Sequence, residues 1–446
     1  MGRELFGTDG VRGVAGAYPL DPRTVHAIGA ALGRWCRDHS ADPVVLIGMD
    51  TRESGPWIAA QVAGGLAREG VRARSAGLIS TPGVAYLTRN DEFVAGVMIS
   101  ASHNAYLDNG IKVFGHSGYK LPDSEEEDIE KTVFAILAAD FEPVAKPVPV
   151  EENLDLRYLD FLVHAFEGTL EGMTMVLDCG NGAAVHLAPA AFQRLGAKVH
   201  TIGCEPNGRN INLDCGALHV DALAAKVVEF GADLGFAFDG DADRCIAVSR
   251  SGRIVDGDAI LLACARRMQQ QGLLHGGAVV ATVMSNLGLE RALRSDGIGL
   301  IRTPVGDKYV LEEMRRQNMA IGGEQSGHVI FLDQATTGDG LLTALRLTEA
   351  VRAAGRPLED LVADLEVYPQ KLVNVRVKER RPLQDLIAVA EAIRKAEESL
   401  GTQGRVLVRF SGTEPLARVM VEGPTDAEVE RHASDIAAAI RTELGG

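Results

Sequence analysis

The chain reads as an α/β protein, with three similar α/β domains built on mixed, mostly parallel sheets and a smaller C-terminal α+β domain. Three observations predict this. A length of 446 residues suggests about three domains, with two to four in range. Short apolar, β-rich runs that end in polar and glycine residues alternate with amphipathic helical patterns, the grammar of a largely parallel sheet covered by helices. Beyond residues 365–370 that grammar gives way to half-exposed, alternating strands.

The elements follow in order. "PVVLIGMD" (43–50) leads into a helical pattern over 56–68. "MTMVLDCGNG" (173–182) leads into one over 188–195, and "GAVVATVMSN" (277–286) into one over 289–294. These units recur on the order of a hundred residues apart, the size of a small domain. One large doubly wound domain is the alternative. A linker is expected at "FEPVAKPVPVEENLD" (141–155), rich in proline and acid, and another boundary near "LEVYPQ" (365–370). After it, "KLVNVRVK" (371–378) alternates as a strand, a helix covers 383–400, strands follow at "RVLVRF" (405–410) and "ARVMVEG" (417–423), and a helix over 425–443 closes the chain.

The formal charge of −16, from 61 acidic and 45 basic residues, argues against nucleic acid or an anionic membrane as the main partner. It leaves room for a local basic pocket. Six cysteines, at 36, 179, 204, 215, 245 and 264, show no CxxC spacing, so no zinc or redox motif is indicated. Scattered thiols in a large chain predict a reducing, cytoplasmic setting. "MGRELFGTDG" has no apolar leader core. Gly2 does not signal myristoylation, because position 6 is Phe. No apolar run approaches the ~20 residues of a membrane span.

Five stretches carry chemistry. "VMISASHNAYLDNGIKVFG" (97–115) opens as a buried strand and then delivers Ser102, His103, Asn104 and Lys112. "LGFAFDGDADRCIAV" (234–248) places Asp239, Asp241 and Asp243 at alternate positions between two apolar strands. On an extended segment such residues share one side, and three carboxylates repel unless a cation sits among them. An EF-hand is excluded, since its sixth and twelfth positions would be Arg244 and Arg250. Few protein ligands and hard oxygens suit Mg²⁺.

"VRFSGTEPLARVMVEG" (408–423) joins two strands through Ser411, Gly412 and Thr413, flanked by Arg409 and Arg418. Glycine, hydroxyls and guanidinium groups can cradle a phosphate. There is no GK[ST], and composition alone leaves a plain hairpin open. "AIGGEQSGHVIF" (320–331) offers Glu324 and Ser326, fit to grip sugar hydroxyls or an ammonium, with His328 two residues on. "ELFGTDGVRGVAG" (4–16) sets Arg12 on a glycine-rich turn.

Taken together, "FGTDGVRG", "SASHNAYLDNGIKVF", "DGDADR", "GGEQSGH" and "RFSGTEP" resemble the α-D-phosphohexomutases, in that family's order and over essentially the whole length. The resemblance implies four domains around a central cleft, expected here at 1–150, 151–253, 254–367 and 368–446. It implies that Ser102 carries the transferable phosphoryl group as a phosphoserine. One Mg²⁺ per chain would sit among Ser102, Asp239, Asp241 and Asp243. Lys112 and Arg12 would lie near the transferring group, with Lys112 and His328 both open as general base, and Arg244 would close the metal loop. Glu324 and Ser326 would read the sugar. Arg409, Ser411, Gly412, Thr413 and Arg418 would hold the phosphate that does not react.

"GEQSGH" favours a glucosamine phosphate, since related phosphomannomutases usually carry Met where Gln325 stands. The implied reaction moves phosphate between C6 and C1 of the sugar through a 1,6-bisphosphate, which also serves as primer. The small-molecule partner is thus a hexosamine phosphate, and a homodimer is left open. The rivals are a preference for glucose or mannose phosphates, a phosphatase that hydrolyses its own phosphoserine, and a non-catalytic sugar-phosphate sensor.

Overall fold

The computed structural model describes residues 4–7, 9–411 and 415–445. The chain divides into two compact units, Met1–Met284 with Leu300–Val362, and Ser285–Gly299 with Ala363–Gly446.

The first unit holds the catalytic-looking stretches on separate sheets. Its six-stranded sheet runs in the order Phe6–Gly7, Gly10–Val14, Asp108–Gly115, Ala95–Ile99, Val44–Met49, Arg72–Leu78. Every residue of Ala95–Ile99 is buried, which is why that run is apolar without alternation. Val97, Ile99, Ile111 and Val113 pack with Val25, Ile28 and Leu32 of the helix Pro22–His39 and with Ile58, Val62 and Leu66 of the helix Gly55–Arg68. Pro22 opens the first helix, where the missing N–H costs nothing, and the Asp21 side chain accepts from the Arg23 and Thr24 amides. The two helices meet at Gly29, where a Cβ would lie 2.2 Å from the Val62 carbonyl oxygen.

A five-stranded sheet follows in the order Ile254–Val255, Cys245–Ser249, Leu234–Phe238, Thr174–Asp178, Lys198–Ile202. A four-stranded sheet runs Gly299–Thr303, Ala278–Thr282, Ile321–Gly323, Val329–Phe331. The sheets are mixed, and antiparallel pairing takes a larger share than the strand–turn–helix pattern implies. In the first sheet the strand Val44–Met49 pairs in parallel on both sides, while the strands that carry Arg12 and Lys112 are antiparallel additions. Phe6–Gly7 pairs directly back on Gly10–Val14, Gly7 opposite Gly10, whereas Asp108–Gly115 is reached from Ala95–Ile99 only through residues 100–107, so nothing local in the sequence marks its direction.

The second unit has a three-stranded antiparallel sheet, Gln370–Arg376, Leu416–Glu422, Arg405–Phe410. Val375, Val419 and Val421 pack beneath the helices Ile387–Leu400 and Asp426–Leu444. The predicted helix over 383–400 splits into a 3₁₀ turn, Leu383–Asp385, and the helix proper. The helix Leu287–Ser295 packs with this unit. Asn286 donates to the Tyr368 carbonyl (2.9 Å) and accepts from its amide (3.0 Å), and the Leu287 amide donates to Glu422 (2.9 Å). Among the described residues no helix is long and apolar enough to cross a membrane.

Candidate active site

Ser102 follows the buried strand Ala95–Ile99 on a left-handed backbone, φ 52°. For a residue with a Cβ that conformation costs about 1–3 kcal/mol and persists only where surroundings enforce it. They do so here. Its amide donates to Ser100 Oγ (2.9 Å). Its carbonyl accepts from Arg52 Nη2 (2.9 Å) and from Asn212 Nδ2 (2.9 Å). Arg52 is fully buried, also donates to the Asn104 and Asp108 carbonyls, and pairs with Asp50 (2.9 Å). Sequence reading passes over Arg52. Its signal is a guanidinium and a carboxylate directly after the apolar run "VVLIGM", a place where a charge must be paired to be tolerated.

Ser102 Oγ donates to Asp239 Oδ2 across 2.6 Å, linking residues 137 positions apart. Asp239, Asp241 and Asp243 are buried, with one carboxylate oxygen of each within 4.8 Å of the others. They converge differently from the alternation expected of an extended segment. The chain curls into a turn in which the Ala242 amide donates to the Asp239 carbonyl (3.0 Å), with Ala242 at φ 56°. Gly240 allows the curl to approach the serine loop, since a Cβ there would lie 2.5 Å from the Ser102 carbonyl oxygen.

Asp239 is held on both oxygens, Oδ1 accepting from the Arg244 amide (3.2 Å), while Asp241 and Asp243 are each braced on one. Asp241 Oδ2 accepts from Thr81 Oγ1 (2.6 Å) and Lys112 Nζ (2.9 Å). Asp243 Oδ2 lies 3.7 Å from both Lys112 Nζ and His328 Nδ1. Asp241 Oδ1 and Asp243 Oδ1 have no hydrogen-bond partner although buried. Burial pushes Asp239 well up, and the Asp243 and Asp241 carboxylates add to it. Burial acts on Asp243 in the same sense, but Lys112 and His328 overturn it and hold that carboxyl below its usual range. Two orphaned hard oxygens beside a third carboxylate fit a divalent cation with few protein ligands.

Cations ring this trio. Lys112 is buried; burial alone would lower its ammonium, but Asp241, Asp9 and Asp243 overturn that and hold it well above its ordinary value. Asp9 touches Arg12, Lys120 and Lys112, the last at 3.1 Å. Arg244 Nη1 donates to His103 Nδ1 (2.7 Å). Burial, with the Arg244 and Arg12 charges, pushes His103 down to about 4, so its Nδ1 stays an acceptor at neutral pH. His328 Nε2 accepts from the Gly338 amide (3.0 Å), which leaves Nδ1 to carry the proton that faces Asp243.

A cavity of about 450 Å³ opens beside these groups, walled by Arg12, His103, Asp243, Arg244, Glu324 and His328 among others. Ser102 and Lys112 are not on its wall, but each touches a residue that is. The cavity gathers side chains from all three sheet regions of this unit. Glu324 Oε1 accepts from the Gly306 amide (3.1 Å), and Ser326, exposed, sits 3.4 Å from Glu324 Oε2. Gln325 points elsewhere, donating to Asp256 Oδ2 (3.2 Å) at the start of the helix Gly257–Gln271.

In the second unit Arg409 and Arg418 are directly opposite in the antiparallel pair. Like charges at such positions repel. Burial, and then Arg418, lowers Arg409. The Ser411 amide donates to the Leu416 carbonyl (2.8 Å) where the hairpin closes. Gly412 and Thr413 lie outside the described residues.

Family profiles match in chain order. Phosphoglucomutase/phosphomannomutase alpha/beta/alpha domain I matches residues 3–140, domain II 156–252 and domain III 256–368, and the C-terminal domain of the same family matches 372–439. The phosphoglucosamine mutase of Solibacter usitatus (strain Ellin6076) is 61% identical over 445 residues, covering 100% of both chains. That of Koribacter versatilis (strain Ellin345) is 50% identical, covering 99% of this chain and 98% of the relative. A solved phosphoglucomutase/phosphomannomutase family protein from Burkholderia thailandensis has the same fold, with TM-score 0.80 at 24% identity over 98% of this chain and 97% of that one. With its serine, acidic turn and the Glu324 carboxylate in one unit and all four domain profiles matched in order, the chain belongs to the phosphoglucomutase/phosphomannomutase family within the α-D-phosphohexomutase superfamily.

Proposed function

We propose that the chain is a phosphoglucosamine mutase, interconverting glucosamine 6-phosphate and glucosamine 1-phosphate through phosphorylated Ser102 and glucosamine 1,6-bisphosphate. The observation that carries this reading is Ser102 Oγ, set on an enforced left-handed backbone 2.6 Å from Asp239 in a buried acidic trio. The sugar preference rests on relatives named phosphoglucosamine mutase at 46–61% identity along the chain.

In the first half-reaction the Ser102 Oγ–P bond breaks as a bond forms from phosphorus to the free 1- or 6-hydroxyl, and the hydroxyl proton ends on Ser102 Oγ; in the second, the sugar O–P bond at the other end breaks as the Ser102 Oγ–P bond re-forms, and the serine proton passes to the freed sugar oxygen. The bisphosphate turns end over end, and its other phosphoryl group returns to Ser102. Arg12 and Lys112 neutralise charge that spreads over the phosphoryl oxygens in transit. Lys112 is held protonated, so it serves as a charge rather than as the base. His328 lines the cavity and is the other candidate base; burial would lower its imidazole, but Asp243 overturns that and raises it, and its Nε2 already accepts from the Gly338 amide, so it takes the hydroxyl proton only by giving up that bond. Asp239, Asp241 and Asp243 would hold one Mg²⁺, which when bound supplies positive charge to the phosphoryl oxygens. Glu324 and Ser326 grip ring hydroxyls. The opposed Arg409 and Arg418, with Ser411, Gly412 and Thr413, hold the non-reacting phosphate.

The setting is cytoplasmic, and the product feeds UDP-N-acetylglucosamine synthesis for the cell envelope. A bisphosphate primes the unphosphorylated enzyme. The test is incubation with glucosamine, glucose and mannose 6-phosphates side by side, with a bisphosphate primer, scoring isomer and free phosphate. Isomerisation fastest on glucosamine 6-phosphate, with one added phosphate on a Ser102 peptide and loss of several orders of magnitude in Ser102→Ala, is expected. Free phosphate without isomer would make it a phosphatase, and neither product a sensor.

A further inference from the structure

Lys120 lies outside every motif that the proposed chemistry uses, yet it is bonded into the site. It follows the strand Asp108–Gly115 through a tight reversal in which the Gly115 amide donates to the Tyr119 carbonyl (2.9 Å). Its side chain is 21% exposed. Nζ donates to Asp9 on one side and to Asp307 Oδ2 on the other (2.8 Å).

Those two carboxylates lead to the two halves of the site. Asp9 meets Lys112 Nζ (3.1 Å) and Arg12, the cations beside the acidic trio. Asp307 opens the helix Asp307–Gln317, directly after Gly306, whose amide donates to the sugar-facing Glu324. Asp9 and Asp307 repel one another, and the ammonium between them cancels that repulsion. The same two segments also meet outside the cavity, where the Arg315 guanidinium stacks over the Tyr119 ring at 4.3 Å.

We propose that Lys120 is a positioning residue for phosphoryl transfer, holding Asp9 against Lys112 and Arg12 while fixing the Gly306–Asp307 turn that orients Glu324. The inference rests on the reading of Ser102 as phosphoryl carrier. Without the ammonium, Asp9 and Asp307 move apart, and the cations at the transfer centre lose their register with the bound sugar. An interaction that matters only once charge develops lowers kcat and kcat/KM together.

The experiment compares Lys120→Met, Lys120→Arg and Arg315→Ala with the parent enzyme on glucosamine 6-phosphate, with kcat expressed per folded, phosphorylated site. Lys120→Met is expected to lose roughly ten- to a hundredfold in kcat, the scale of one charged hydrogen bond, with KM within about threefold. Lys120→Arg should recover most of that loss, and Arg315→Ala should match the parent. Parent-like kcat in Lys120→Met, or an equal loss in Arg315→Ala, overturns the proposal in favour of a purely structural tie. If Lys120→Met does not fold, Lys120→Met/Asp307→Asn, which leaves no uncompensated charge pair, is read in its place against the same thresholds. A parent enzyme that fails to isomerise, or stays active as Ser102→Ala, removes the reading beneath the proposal and is recognised in the same assay.

Discussion

Replacing Arg52 with methionine removes the brace beneath the serine loop. The side chain is fully buried and donates to four backbone carbonyls, those of Ser102, Asn104, Ala105 and Asp108, besides its pairing with Asp50. Methionine fills much of the same space, so the loss is polar rather than a cavity. Breaking a buried pair from one side costs about 3–5 kcal/mol. Asp50 keeps its bond from Ser100 Oγ (2.6 Å), which favours the lower half of that range. The left-handed Ser102 backbone, itself worth about 1–3 kcal/mol of strain, then has only Asn212 on its carbonyl.

Local opening of residues 100–108 should become easier by about 3–4 kcal/mol, or roughly hundred- to thousandfold in population, at 1.4 kcal/mol per factor of ten. Amide hydrogen exchange read by mass on a peptide covering 100–108 measures this directly, because the Ser102, Asn104 and Asp108 amides are all bonded within the loop. Exchange in the helix Pro22–His39 reports whether the surrounding fold persists. Isomerisation should fall with the loop's loss of order. Less than tenfold faster exchange together with parent-like turnover would refute the bracing argument.

Chelation should abolish isomerisation, and Mg²⁺ should restore it and raise the thermal midpoint. Asp241→Asn should lose most of that Mg²⁺-dependent rise, and full activity in excess chelator would rule out a metal at the trio. Asp339 gives a pH prediction. Burial raises its carboxyl from 3.8 to about 6, against the Leu342 amide and the Tyr158 hydroxyl that bind it. Because the folded value lies above the unfolded one, its contribution is complete below about pH 4 and is lost as pH rises through about 6. Asp339→Asn, which can keep both partners, should therefore gain stability relative to the parent between about pH 4 and 7 in urea titrations. A difference that stays flat or runs the other way contradicts the assignment.

The sequence by itself determined the element types and the chemistry-bearing groups, because both are local. A short apolar run marks the strand Ala95–Ile99, helical periodicity marks the helix Gly55–Arg68, and the ordered words from "FGTDGVRG" to "RFSGTEP" identify the family. The serine and its acidic partners could be named, but not how they meet. Tertiary structure decided that the aspartates converge by a curl with Ala242 at φ 56° rather than by alternation. It also decided that Gln325 is tied to Asp256 and away from the cavity wall, and that Leu287–Ser295 packs with the C-terminal unit. Arg52 and Lys120 were silent in the sequence for the same reason. Their partners lie on segments remote in the chain, such as the Asp307 turn 187 positions away from Lys120. Which carboxylate or carbonyl a buried cation meets is fixed by strand order and packing, and neither periodicity nor motif spacing encodes that.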